Sequence, residues 1–223
     1  MAKYVEREDF FEIIDILTLA YEEWDAPAKA FEKGYERTPF TILCSTVLSF
    51  RTKDEETLKA AQRLFEKAKT PREMIRLSEE EIAETIYPVG FYRKKAASLI
   101  EISRELLENF DEEVPKSYDE LISIRGIGPK TAAIVLENAF AEEIVAVDTH
   151  VHRILNTLGC VNSKTPIETM KRLSENLPPE KRRGLNRILV AFGQSICKPR
   201  GAKCGICPVY QYCRAKSGER SDE

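Results

Sequence analysis

Four cysteines crowd the end of the chain: Cys197, Cys204, Cys207 and Cys213, with six, two and five residues in the gaps. Thiols this dense, inside a cell, argue for a metal and not for disulfides. Two kinds of centre fit the ligand type. Structural zinc sites usually pair their ligands as two short knuckles, and only one such gap is present. A [4Fe–4S] cluster is larger than one ion and tolerates uneven gaps, so the spacing favours iron–sulfur over zinc. The remaining cysteines, Cys44 and Cys160, sit among apolar neighbours and read as core residues.

A second chemical signal is Ile124-Arg-Gly-Ile-Gly-Pro-Lys130-Thr-Ala. Gly126 and Gly128 permit a tight turn, and Pro129 suits the first position of the helix that follows. Such a helix start offers unpaired N–H groups to an anion. A plain turn between helices would use the same glycines. A third signal is Val147-Asp148-Thr149-His150. An aspartate before a helix is usually its N-cap. His150 and His152 are the chain's two histidines, and at i, i+2 on a helix they point apart, which favours a structural role over a metal pair. Finally, residues 181–203 hold seven Lys or Arg and no acid. A basic stretch beside a cysteine loop suits a polyanion, although many charge runs are merely solvated.

The elements that must position these residues read as helical nearly throughout. Apolar residues recur at helical spacing from Asp9 to Trp24, Phe40 to Phe50 and Glu55 to Lys67. Thr70-Pro71 and Ser78 are helix starts, and Gly90 reads as the end of the helix opened at Ser78. Helices follow over Lys94–Phe110, from Ser117, and over Thr131–Phe140, Thr149–Leu158, Pro166–Leu177 and Leu185–Ile196. The run Ile144 to Val147 is the one plausible strand. The expected class is all-α. The 223 residues, 43% hydrophobic and 32% charged with net charge −3, describe a soluble globular chain. No apolar run approaches the roughly 20 residues that span a bilayer, and the opening MAKYVEREDF lacks a signal-peptide core. The expected location is intracellular, in the cytoplasm.

Taken together, the motifs resemble the endonuclease III family of helix–hairpin–helix DNA glycosylases over roughly Asp9 to Cys213. The cysteine spacing matches the family's C-x6-C-x2-C-x5-C, and Ile124–Ala132 matches its L-P-G-V-G-x-K-T-A hairpin. Val147–His150, Pro39–Leu48 and Gly90–Ala96 fit further segments. The resemblance implies a two-domain helical fold with a DNA groove between the domains. Residues 33–142 would form a six-helix bundle ending in the hairpin; residues 1–32 plus 143–223 would form the [4Fe–4S] domain.

The resemblance also implies a chemistry: base-excision repair by a monomer that acts on double-stranded DNA containing damaged bases or abasic sites. Lys130 lies where bifunctional members carry their nucleophile, and Asp148 matches the family's essential carboxylate. A primary amine can displace a base from C1′, form a Schiff base with the opened sugar, and so allow β-elimination of the 3′ phosphate. Burial and the helix's positive end would both favour an uncharged Lys130, and Asp148 nearby would oppose it. The implied substrates are oxidised pyrimidines. The cysteine loop would meet phosphates through Lys198, Arg200 and Lys203, with the cluster shaping the loop and oxidising or reducing nothing. Gly126, Gly128, Thr131 and His150 would be further DNA contacts. Arg51 and Phe91 fall at the wedge positions that fill the hole left by a flipped base. Arg51 stands where Gln is usual, and it could pair bidentately with an orphan guanine or simply meet a phosphate. Other readings are a non-catalytic DNA-binding iron–sulfur protein, or a glycosylase for mismatches, uracil or 8-oxoguanine. Both Lys130 and Asp148 speak against the first.

Overall fold

The structure, a computed structural model, describes residues 7–27, 29 and 34–217. Every regular element among them is helical. The chain divides into two compact units, Met1–Lys29 with Glu143–Glu223, and Ala30–Glu142. The expected domain boundary at 32/33 lies outside the described residues.

The middle unit starts with α2 (Pro39–Ser49), after α1 of the other unit (Arg7–Ala20). Thr38 caps α2: its hydroxyl accepts from the Thr41 N–H, Thr41 answers, and Pro39 takes the first helical position. Then come α3 (Asp54–Lys67), α4 (Pro71–Met74) and α5 (Glu79–Ile86). Thr70 and Ser78 cap α4 and α5 through reciprocal bonds with Glu73 and Glu81. The long α6 (Tyr92–Asn109) leads to α7 (Tyr118–Ser123) and α8 (Pro129–Phe140). Leu43, Leu48, Leu64, Met74, Ile82, Leu99, Ile102 and Leu106 are completely or almost completely buried in this unit. Burying each such side chain contributes about 1.5–3 kcal/mol before entropy is charged against it.

The other unit joins α1 to α9 (Thr149–Leu158), α10 (Pro166–Asn176) and α11 (Leu185–Ser195). Phe10, Ile13 and Leu17 of α1 share a core with Val151, Ile154 and Leu155 of α9 and Leu189 and Phe192 of α11. The Trp24 ring lies 5.5 Å from that of Phe192. After α11 the described residues make only short 3-10 turns, Cys204–Ile206, Tyr210–Tyr212 and Arg214–Ser217.

Two local expectations are corrected. Ile144 to Val147 is not a strand. It alternates correctly but no neighbouring strand is present among the described residues, and the Ala146 carbonyl accepts from the Asn186 side chain at 2.6 Å. Val145 and Val147 are still buried, so the alternation reports burial and not pairing. Gly90 does not end α5, which stops at Ile86 just before Pro88. A Cβ on Gly90 would come within 2.6 Å of the Arg51 carbonyl oxygen. Gly90 is there for close approach between distant segments.

Candidate nucleic-acid interface and catalytic residues

The hairpin joins α7 to α8. Ser117 caps α7, and the Ile127 N–H donates to the Ile124 carbonyl at 3.1 Å to close the turn. Gly126 has φ +94°, a conformation that L side chains rarely adopt. Gly128, the N-cap of α8, is different. Its φ of −94° suits any residue, and nothing lies within 4 Å of a Cβ built there. The fold leaves this face of the turn open, which suits a ligand that needs the backbone itself. Lys130 is the second residue of α8 and is exposed, with Thr131 half-buried behind it.

Arg51 and Phe91 belong to the same unit, and the structure brings them together. Arg51 lies just beyond α2 with φ +51°; Phe91 is the N-cap of α6 with φ +58°. The Arg51 guanidinium sits 5.5 Å from the Phe50 ring centre and 5.8 Å from that of Phe91. The two rings are more than half exposed, at 59% and 53%.

In the other unit, Asp148 is the N-cap of α9, and its Oδ1 accepts from the Val151 N–H at 2.8 Å. His150, one residue into α9, is exposed. His152 turns to α10, where its Nδ1 lies 2.7 Å from the Thr169 hydroxyl, itself in contact with Ser163. That network gives His152 a structural role.

Helix α9 also grips the cysteine loop. Arg153 donates to the Cys197 carbonyl at 2.6 Å and reaches its Sγ at 3.8 Å, and the Cys213 thiol lies 3.9 Å from the Thr157 carbonyl. Arg153 was not among the residues expected to matter; only its place in the segment after Asp148 hinted at it. The four thiols carry no disulfide. Burial raises the Cys197 and Cys207 pKa values, and the neighbouring cysteines raise them further. Four thiol groups within electrostatic reach of one another would be held as thiolates by a cationic centre, so the donor set fits an iron–sulfur group. No group of three or more His, Cys, Asp or Glu among the described residues is placed to hold a metal ion.

The basic stretch is not one patch. Lys181 pairs with Asp15. Arg182 donates to the Ser174 and Leu177 carbonyls at the end of α10. Lys198, Arg200 and Lys203 on the cysteine loop are exposed, with no acid paired to them among the described residues.

A helical hairpin with a lysine leading its second helix, a helix-capping aspartate and a four-thiol loop define the helix–hairpin–helix repair class. Residues 44–179 match the HhH-GPD superfamily of base excision DNA repair proteins; this span contains Arg51, Phe91, Lys130 and Asp148 and ends before the four clustered cysteines. Within that class the chain belongs to the endonuclease III family. It is 44% identical to endonuclease III of Thermotoga maritima over 186 residues, covering 83% of this chain and 87% of that one. Identity to the Bacillus subtilis endonuclease III is 33% over 186 residues, covering 83% and 84%. Among solved structures, it superposes on a non-covalent endonuclease III–DNA complex with a TM-score of 0.86 at 30% identity, covering 96% of this chain and 98% of that one. A trapped endonuclease III–DNA covalent intermediate aligns with a TM-score of 0.77 at 32% identity, covering 92% and 97%. No helix among the described residues is long and apolar enough to cross a membrane.

Proposed function

We propose that this protein is a bifunctional DNA N-glycosylase and abasic-site lyase of base-excision repair, acting as a monomer on oxidised pyrimidines in duplex DNA. The observation that carries the reading is Lys130, an exposed amine at the start of α8 beside a hairpin whose Gly128 face is open. Backbone N–H groups of the hairpin would hold the phosphate next to the lesion, with Thr131 and His150 as further contacts.

The chemistry follows from the amine. Its lone pair forms a bond to C1′ while the C1′–N bond to the base breaks, and the base leaves with a proton. Opening of the sugar ring converts the aminal into an iminium ion. Loss of a C2′ proton then expels the 3′ phosphate, which cleaves the strand, and water releases Lys130 from the unsaturated aldehyde. The Asp148 carboxylate would stabilise the positive charge that grows on the sugar and take a proton from the attacking amine. Lys130 belongs to the middle unit and Asp148 to the other. We assign the middle unit, with the hairpin, to nucleophile and wedge, and the other to carboxylate and cluster.

Cys197, Cys204, Cys207 and Cys213 would hold a [4Fe–4S] cluster, whose contribution is to shape the loop that presents Lys198, Arg200 and Lys203 to phosphates. Arg51 and Phe91 would fill the gap in the stack, with Arg51 facing the orphaned base, a guanidinium suited to guanine.

Borohydride trapping tests the central step, because it reduces an imine to a permanent amine link. Wild type should cross-link to a duplex with an abasic site, and Lys130→Gln should not, while still binding that duplex. Cross-linking by Lys130→Gln at the wild-type rate would assign the nucleophile to another amine. A panel of duplexes carrying thymine glycol, 5-hydroxycytosine, uracil or 8-oxoguanine then tests the substrate class, and preference for uracil or 8-oxoguanine would overturn it.

A further inference from the structure

Lys95, in the first turn of α6, is only 5% exposed, the single lysine among the buried residues described. Its ammonium has three donors, and all are used: the Leu48 carbonyl at 2.7 Å, the Phe50 carbonyl at 2.6 Å and the Thr52 hydroxyl at 3.0 Å. No carboxylate partners it among the described residues. Burial without a counter-ion lowers its pKa to about 8, whereas the three oxygens at the negative end of α2 favour the charge. A buried ammonium is costly, and a methionine would fill this space more simply. The lysine therefore points to what its three bonds hold in place.

They hold the turn that carries Arg51. Lys95 draws the Leu48 and Phe50 carbonyls and the Thr52 hydroxyl inward, which leaves Arg51 on the outside of the bend at φ +51°. Thr52 also accepts from the Gly90 N–H at 3.2 Å, and so ties the second segment, in which Phe91 sits at φ +58°. Two adjacent non-glycine residues in the left-handed region store on the order of 1–3 kcal/mol each and need a surround that over-determines them. Their side chains make no core: Phe50 and Phe91 are exposed and Arg51 lies between them.

We infer that Lys95 is a positioning residue for duplex invasion: its bonds to residues 48, 50 and 52 set Arg51 and Phe91 as one rigid tip that enters the base stack. This rests on the reading of Arg51 and Phe91 as the wedge. Lys95 touches no substrate; it acts through the turn.

The test compares Lys95→Met, Thr52→Val and Phe91→Ala on two substrates. Excision of a damaged base from a duplex requires invasion; borohydride trapping on a single-stranded abasic oligonucleotide does not. Lys95→Met should lower duplex excision by about 10²-fold, the usual cost of misplacing a group by roughly 1 Å, and should leave single-strand trapping unchanged. It should also abolish the brightening of a fluorescent purine analogue opposite the lesion, as Phe91→Ala should. Thr52→Val, which removes one of the three acceptors and the tie to Gly90 at almost constant volume, should show the same split more weakly and keeps the test open if Lys95→Met folds poorly. Equal loss on both substrates in Lys95→Met and Thr52→Val would reduce Lys95 to a stabilising residue and overturn the inference. If Phe91→Ala abolishes the signal but Lys95→Met and Thr52→Val keep duplex excision, the inference alone fails. If Phe91→Ala leaves excision and signal intact, the wedge reading fails and the inference with it.

Discussion

Replacing Lys198, Arg200 and Lys203 together by alanine should change the salt dependence of DNA binding more than any other property. All three are exposed, and none is paired with an acid among the described residues. Their charges are therefore available to phosphates, and each substitution should change the stability of the fold by no more than about 0.5 kcal/mol. Each phosphate neutralised by a cation contributes about 0.9 to the slope of log K against log salt. Three contacts give about 2.7. Over a fourfold rise in salt, the wild type should lose roughly 40-fold more affinity than the triple variant. Anisotropy with an undamaged duplex measures this without interference from chemistry. Lys181→Ala is the internal control: its ammonium pairs with Asp15, so it should lower the melting temperature slightly and leave the slope alone. An unchanged slope in the triple variant would turn the cysteine loop away from DNA. An equal effect from Lys181→Ala would show that the charge acts diffusely, and that the loop has no special part.

Three other outcomes follow from the same geometry. Asp148→Asn should keep the cap on α9, because asparagine also accepts from a backbone N–H, yet slow base excision strongly, whereas Asp148→Ala should lose about 1 kcal/mol of stability as well; equal excision by Asp148→Asn and wild type would remove the carboxylate from the mechanism. The anaerobically purified chain should contain about four irons, and Cys204→Ser should lower yield and iron content before it alters trapping by Lys130; stoichiometric zinc would sink the cluster assignment. Lys95 makes stability depend on alkaline pH: its folded-state pKa of about 8 lies below the ordinary 10.5, so the unfolded chain binds the extra proton and stability rises with pH across that window. Chemical denaturation at pH about 7.5 and 10 should show wild type gaining on Lys95→Met, by at most about 1.4 kcal/mol per pH unit, and parallel curves would contradict a depressed value.

The sequence exposes what is local. Thr38, Thr70, Ser78, Ser117 and Asp148 stand one residue before the helices that they cap, because a cap involves only the next three residues. The candidate chemical residues stand out for a related reason: Lys130 and the four clustered cysteines are tied to their neighbours by short spacing. What depends on distant segments is not. Gly90 reads as a helix stop, but its smallness answers to the Arg51 carbonyl, 39 positions away. Lys181 and Arg182 look like part of a DNA-binding stretch until Asp15 and the end of α10 claim them. Lys95 stands four residues before Leu99 and seven before Ile102 on a buried face; nothing local says that its partners lie at and just beyond the end of α2.

Helix α9 links the two chemical features of its unit. Asp148 stands at its start, fixed by the Val151 N–H. One turn later Arg153 holds Cys197, and Thr157 meets Cys213 near the far end. Ten residues of helix span about 15 Å, so one rigid element connects the carboxylate to the loop. A cap bond is a good way to aim a carboxylate, since it fixes the side chain against the backbone with no flexible partner. Its precision then depends on how well the helix itself is seated. The His152–Thr169 contact and the Arg153–Cys197 bonds seat it on two sides. A cluster held by these cysteines would need neither to touch the sugar nor to carry electrons to affect catalysis. By keeping Cys197 in place it would give Arg153 a fixed anchor, and Asp148 would inherit that position through the helix.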